Sequence, residues 1–221
     1  MRFLDLLPQR KDWTQARQMP RQMIIDSTFF VTGVGTVVGG IITQGVFHVN
    51  DTVLLGPDGL GHYRPVSIKS IHVKGVERPY AEAGNDAALC LKKEKRSGIR
   101  KGNILSDTAV TPVSFWQFEA EITILYHSTT ISVNYEPVIH SATVRQSARI
   151  TFVEREVLRT GDKSMVRFHF LYRPEFMHEG QRLIFREGRT KGIGIVTKLM
   201  TEPDNDFLSR LRSKNKNLPA S

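Results

Sequence analysis

Ten consecutive residues, Lys92-Lys93-Glu94-Lys95-Arg96-Ser97-Gly98-Ile99-Arg100-Lys101, hold six cations against one acid. Cations packed this densely neutralise phosphates and release condensed counterions. A run of this kind is also what a solvated surface loop looks like, and the residues alone leave both readings open. Two further groups have the same character. Arg145 and Arg149, four apart in a strand-like stretch, face the same way. Arg186, Arg189 and Lys191 flank a hairpin turn at Gly188. The net charge of +9, from 31 basic and 22 acidic residues, points to an acidic partner without locating it.

Other chemistries find no support. No Gly-x-x-x-x-Gly-Lys-Ser/Thr loop occurs in the 221 residues, so nothing cradles phosphates in the P-loop manner. The chain is therefore expected not to be an enzyme and not to hydrolyse GTP. The seven histidines, at 48, 62, 72, 127, 140, 169 and 178, lack the close pairs or cysteine partners of a zinc site, and no metal is expected. Cys90 lies inside the apolar run Ala87 to Leu91 and reads as a small core residue rather than a nucleophile. Glu119 and Glu121 share one face of an alternating strand, the face expected to meet solvent.

The elements that carry these residues are strands. Thr36 to Ile42 is β-branched except at Gly39 and Gly40, and Asn50-Asp51 opens a second apolar run, Thr52 to Leu55, closed by Gly56-Pro57. Glycines crowded into a strand pair imply bulges, tight curvature or a close backbone approach. Further strands are expected at 24–32, 66–73, 87–91 and 103–105, and, after a break at Asp107 to Pro112, at 115–126, 138–144, 148–154, 164–171, 182–187 and 194–199. The expected fold is all-β, two consecutive small β-barrels over 23–107 and 108–200. They follow a segment, 1–22, with apolar Phe3, Leu4, Leu6 and Leu7, which reads as the tail of a preceding domain and its linker, and precede a charged, Asn-rich tail, 201–221, expected to be disordered. No apolar run is long enough to span a bilayer, no signal peptide precedes Pro8, and a single cysteine fits a reducing compartment. A cytoplasmic location with no membrane contact is the expectation.

The order Val31, Gly33, Gly35-Thr36-Val37-Val38, Gly45, Asp51, Val53, Leu55 resembles the second domain of translational GTPases of the elongation factor Tu and elongation factor 1-alpha class. Gly161-Asp162, Gln181-Arg182-Leu183, Phe185 to Thr190 and Gly192-Ile193-Gly194 resemble the third domain of that class. The segments Lys93 to Gly102, Tyr126 to Ile131 and Phe185 to Lys191 are similar to the eukaryotic GTP-binding protein 1/2 group. The hairpin at Gly188 lacks the second glycine of the bacterial factor.

The resemblance implies a function for each basic group. Lys92, Lys95, Arg96, Arg100 and Lys101 would lie near the acceptor end of aminoacyl-tRNA, and Arg145, Arg149, Arg186, Arg189 and Lys191 would grip the T-stem backbone. Glu136 stands where the bacterial factor has a basic residue. Asp26, Ser27, Phe29, Gly39 and Asp86 match the pocket for the aminoacyl group and terminal adenosine, with Ser27, Asp86 and Gly39 in place of the bacterial Asp, Asn and Thr. Implied partners are tRNA, the ribosome and a GTPase domain of the same protein, which would hold the GTP and Mg. The alternative is a protein-interaction module that recruits RNA-decay or ribosome quality-control factors and touches no tRNA.

Overall fold

The computed structural model describes residues 12–200. The apolar Leu4 to Leu7 segment and the tail from 201 onward lie outside the described residues. Two compact units emerge. The first is built from residues up to Leu55, from Pro65–Arg100 and from Ile104–Thr111. The second is built from Gly56–Arg64, Lys101–Asn103 and the residues from Pro112 onward.

Nine strands precede residue 107: β1 (Gln22–Val31), β2 (Gly35–Gln44), β3 (Val46–His48), β4 (Thr52–Gly56), β5 (Arg64–Val73), β6 (Val76–Arg78), β7 (Tyr80–Glu82), β8 (Asp86–Leu91) and β9 (Ile104–Ser106). Seven of them form a sheet of order β4-β9-β1-β2-β8-β5-β6, a pairing of β4 with β5 draws the sheet round on itself, and β3 and β7 pair as a separate ribbon. Met23, Ile25, Val38, Ile42, Phe47, Leu55, Ile68, Ile71 and Leu89 fill its interior. The glycines of β2 serve curvature: β1 crosses β2 with a bulge at Asp26, since Ile25 pairs Gly40 and Ser27 pairs Gly39. The three-residue strands β3, β6 and β7 are too short to show an alternation, and sequence reading passes over them.

The stretch before β1 is held to this barrel. Thr14–Arg17 forms one helical turn, and Trp13 and Ala16 pack against the core. Arg21 donates Nε to Asp107 Oδ2 at 2.8 Å and also ion-pairs with Asp51, which ties the chain before β1 to the residue after β9. That hydrogen bond holds the Asp107 carboxyl at about 2, below its ordinary 3.8. A depressed carboxylate stabilises the fold fully above its unfolded value, and the contribution is lost as pH falls toward 2. Asp107→Asn is therefore expected to cost about 1–2 kcal/mol at neutral pH, discounted for partial exposure. Denaturant unfolding should show the two chains converging as pH drops from about 4 to about 2.

The second unit holds β10 (Gln117–Tyr126), β11 (Val138–Ser141), β12 (Val144–Val153), β13 (Lys163–Phe170), β14 (Arg182–Glu187) and β15 (Thr190–Met200). They close into a barrel of order β10-β13-β12-β11-β14-β15. Phe118, Ala120, Ile122 and Ile124 alternate into its core with Phe168, Phe170 and Phe185. On the opposite face Glu119 and Glu121 are ion-paired, to Arg167 and Lys163. The strand expected at 138–144 is corrected: the chain turns at Ala142-Thr143, where Ala142 has φ 49°, and Val144 opens β12 by pairing Ser141. Inside the barrel wall, Gln146 is buried. Its amide receives the backbone N–H groups of Tyr172 and Arg173 and donates to Glu175, which fixes the loop after β13.

Candidate nucleic-acid interface

The cationic run leaves β8 and returns to β9, and its backbone is fixed at several points. Lys93 turns the chain with φ 57°, the Thr36 hydroxyl donates to the Glu94 carbonyl at 2.7 Å, and Arg96–Gly98 form a 3-10 turn. Ile99, 6% exposed, then inserts into the core. An apolar plug at the far end makes this a shaped loop. Its cations are not equivalent. Lys92 donates to Asn50 Oδ1 at 2.8 Å. Arg100 and Lys101 are engaged with neighbours, and Lys101 groups with the second unit. Lys93, Lys95 and Arg96 are exposed, and among the described residues none of them makes an ion pair. Lys93, which sequence reasoning had counted only as part of the run, thus joins Lys95 and Arg96 as the cations best placed for a phosphate.

Strand register assembles a second feature on the outer face of the same barrel. Ser27 pairs Gly39, Gly39 pairs Ala88, and Ala88 pairs His72. Paired residues project to one side, so Ser27, Gly39, Ala88 and His72 form a row of small side chains ending in an imidazole. The next row is Phe29, Val37 and Cys90, and on the other side Ile41 pairs Asp86. Ser27, Phe29 and Asp86 thus surround a shallow floor at Gly39, and Asp26 stands exposed in the bulge beside it. His72 belongs to this face and was missed, because no sequence signal links it to Ser27 across 45 positions. Cys90 is buried there, and burial raises its thiol pKa.

On the second barrel the predicted cations divide. Arg145 pairs His140, and Arg186 lies two residues along from the Ile184 that His140 pairs on its other side. Burial, then the charges of Arg145 and Arg186, push the His140 pKa down, so the imidazole resists adding a further positive charge beside these two guanidinium groups. Arg186 pairs Lys191 across the hairpin, with Arg189 exposed in its turn. Arg145, Arg186 and Lys191 therefore make one basic face. Arg149 does not share that freedom, since its Nε donates to Glu136 Oε1 at 2.6 Å and its charge is already matched. Adjacent to the basic face, Ile184, Ile193 and Ile195 stand 50%, 45% and 47% exposed on β14 and β15. Ile184 pairs Ile193 directly, so the three form a contiguous apolar patch. Among the described residues no three His, Cys, Asp or Glu side chains come together as a metal site would require.

A closed six-stranded barrel follows a glycine-bent barrel in this chain, and the comparisons find the same likeness to elongation factors. Residues 111–200 match the family model of the elongation factor Tu C-terminal domain. The chain is 45% identical over 203 residues to GTP-binding protein 1 of Xenopus laevis, an alignment covering 92% of this chain and 31% of that protein. It is 35% identical over 199 residues to GTP-binding protein 2 of Homo sapiens, covering 88% and 33%. It is 28% identical over 211 residues to elongation factor 1-alpha of Ignicoccus hospitalis, covering 86% and 46%. The chain thus spans about a third of the length of the two GTP-binding proteins and under half of the elongation factor.

Proposed function

We propose that this chain is the RNA-binding region of a translational GTPase, holding tRNA and contacting the ribosome while a GTPase domain of the same protein supplies the switch. The observation that carries the reading is the β8–β9 loop, which presents Lys93, Lys95 and Arg96 without acidic partners among the described residues, on a backbone anchored by Thr36 and Ile99. Phosphates are the partners such a loop fits. The basic face of Arg145, Arg186 and Lys191 would offer a second backbone contact, and the floor at Gly39 would take a small terminal group. The half-exposed isoleucines of β14 and β15 would be covered by the GTPase domain, because their apolar surface is adjacent to the cations and offers phosphate nothing.

The test compares aminoacylated with deacylated tRNA by filter binding. The chain should bind both with steep salt dependence and favour the aminoacylated form. Asp26→Ala should weaken charged tRNA by roughly tenfold or more, the value of one hydrogen bond to a charged group, and leave deacylated tRNA and the salt slope unchanged. Equal losses for both forms would remove the aminoacyl contact. Absence of salt dependence in the wild-type chain would remove the RNA reading altogether.

A further inference from the structure

Phe29 and Phe30 are consecutive in β1 and project to opposite faces of the β1–β2 hairpin. Phe29 pairs Val37 on the outer face, beside the floor at Gly39. Phe30 pairs Thr36, and the Thr36 hydroxyl is the group that holds the Glu94 carbonyl. Phe30 therefore stands on the side of the hairpin that carries the cationic loop. It is 63% exposed, and Val31 and Val34 at the turn are exposed beside it. On the opposite side Lys69 donates to the Val34 carbonyl at 3.0 Å, so the tip has a cation on each flank. An exposed aromatic ring next to Lys93, Lys95 and Arg96 has the composition of a site for a single-stranded nucleic acid, in which cations follow the backbone and a ring receives a base.

We propose that Phe30 is a stacking platform for an unpaired base of RNA whose backbone lies along the β8–β9 loop. The proposal rests on the RNA-binding reading of that loop and adds to it a preference for single strands over duplex, which cations alone do not confer. Phe30 serves this role, and not Phe29, because only its face is shared with Thr36 and hence with the loop. The turn supports the ring sterically: Gly33 and Gly35 adopt φ 80° and 116° with open space around them, so a base can approach the tip without meeting a side chain there.

The experiment measures fluorescence anisotropy of a labelled adenine 12-mer RNA and of a 12-base-pair RNA duplex with the full chain. Phe30→Ala should weaken the single strand by roughly fivefold or more and leave the duplex unchanged. Phe30→Leu, apolar but without a π face, should lose as much. Phe30→Trp should restore affinity, with emission of the added indole quenched on binding. Two results would overturn the proposal while sparing the loop: undiminished single-strand binding by Phe30→Ala, or full affinity in Phe30→Leu, which would mark the tip as an apolar protein-docking edge. A charge-neutralised loop, with Lys93, Lys95 and Arg96 all changed to Gln, separates the two levels. If that variant binds RNA as the wild-type chain does, the loop reading itself fails and the stacking role falls with it.

Discussion

The chain with Lys93→Gln, Lys95→Gln and Arg96→Gln is expected to bind tRNA on the order of 100-fold more weakly at 0.1 M salt. The size follows from three lost phosphate contacts at about 0.7 log units each, the slope expected where RNA is single-stranded. The same substitutions should flatten log affinity against log salt by roughly 2, and the loss should be uniform across tRNA species, because phosphates carry no sequence information. Gln keeps most of each stem, and these side chains make no ion pair among the described residues, so thermal stability should hold. Ile99 and the Thr36 bond to Glu94 stay in place and preserve the loop. Filter binding of several tRNAs at several salt concentrations reads affinity, slope and uniformity, and thermal melting reads the stability. An unchanged slope would assign the loop to a protein contact instead.

The largest effect on stability is expected at Gly40. A Cβ there would lie 2.0 Å from the Ile24 carbonyl oxygen and 3.2 Å from the Ile25 Cα, and neither backbone atom can move without parting β1 from β2. Overpacking of a core side chain usually costs about 1–3 kcal/mol, and a clash with strand backbone lies at or beyond the top of that range. Gly40→Ala should therefore unfold the first barrel at a temperature well below the wild type. Its neighbour provides the control. A Cβ at Gly39 would meet Ser27 Oγ at 2.4 Å, a hydroxyl that can swing to another rotamer, so Gly39→Ala should cost roughly 1 kcal/mol or less. Because it fills the floor between Ser27 and Ala88, it should still weaken aminoacylated tRNA selectively. Scanning calorimetry separates the two variants: similar melting temperatures would mean that the β1–β2 pairing yields more readily than its register suggests.

Alternation made most of the architecture legible. Phe118, Ala120, Ile122 and Ile124 mark one strand face unambiguously, and the glycines of β2 announce a bent sheet. Turn chemistry was less reliable, since Ala142-Thr143 carries no Gly, Asn or Pro and its turn shows only as a positive φ. The site was legible by type and hidden by pairing. The cationic run is plain in the sequence, yet which of its members are free depends on Asn50, 42 positions from Lys92. Arg149 looks equivalent to Arg145 until Glu136 is seen to hold it. The row from Ser27 to His72 exists only through register, which depends on a one-residue bulge at Asp26.

The seating of Ile99 in the core has a kinetic meaning. A loop pinned at Thr36 and Ile99 has already given up the conformational freedom that a floppy basic arm would surrender on meeting its ligand. Its backbone holds the stems of Lys93, Lys95 and Arg96 in a fixed order, so a passing polyanion meets them with only the side chains left to order. Association is then governed by long-range attraction and diffusion, and the lifetime of the complex is left to the contacts made afterwards at the ends of the RNA. Such an arrangement suits the proposed role, in which many RNAs are sampled quickly and few are kept.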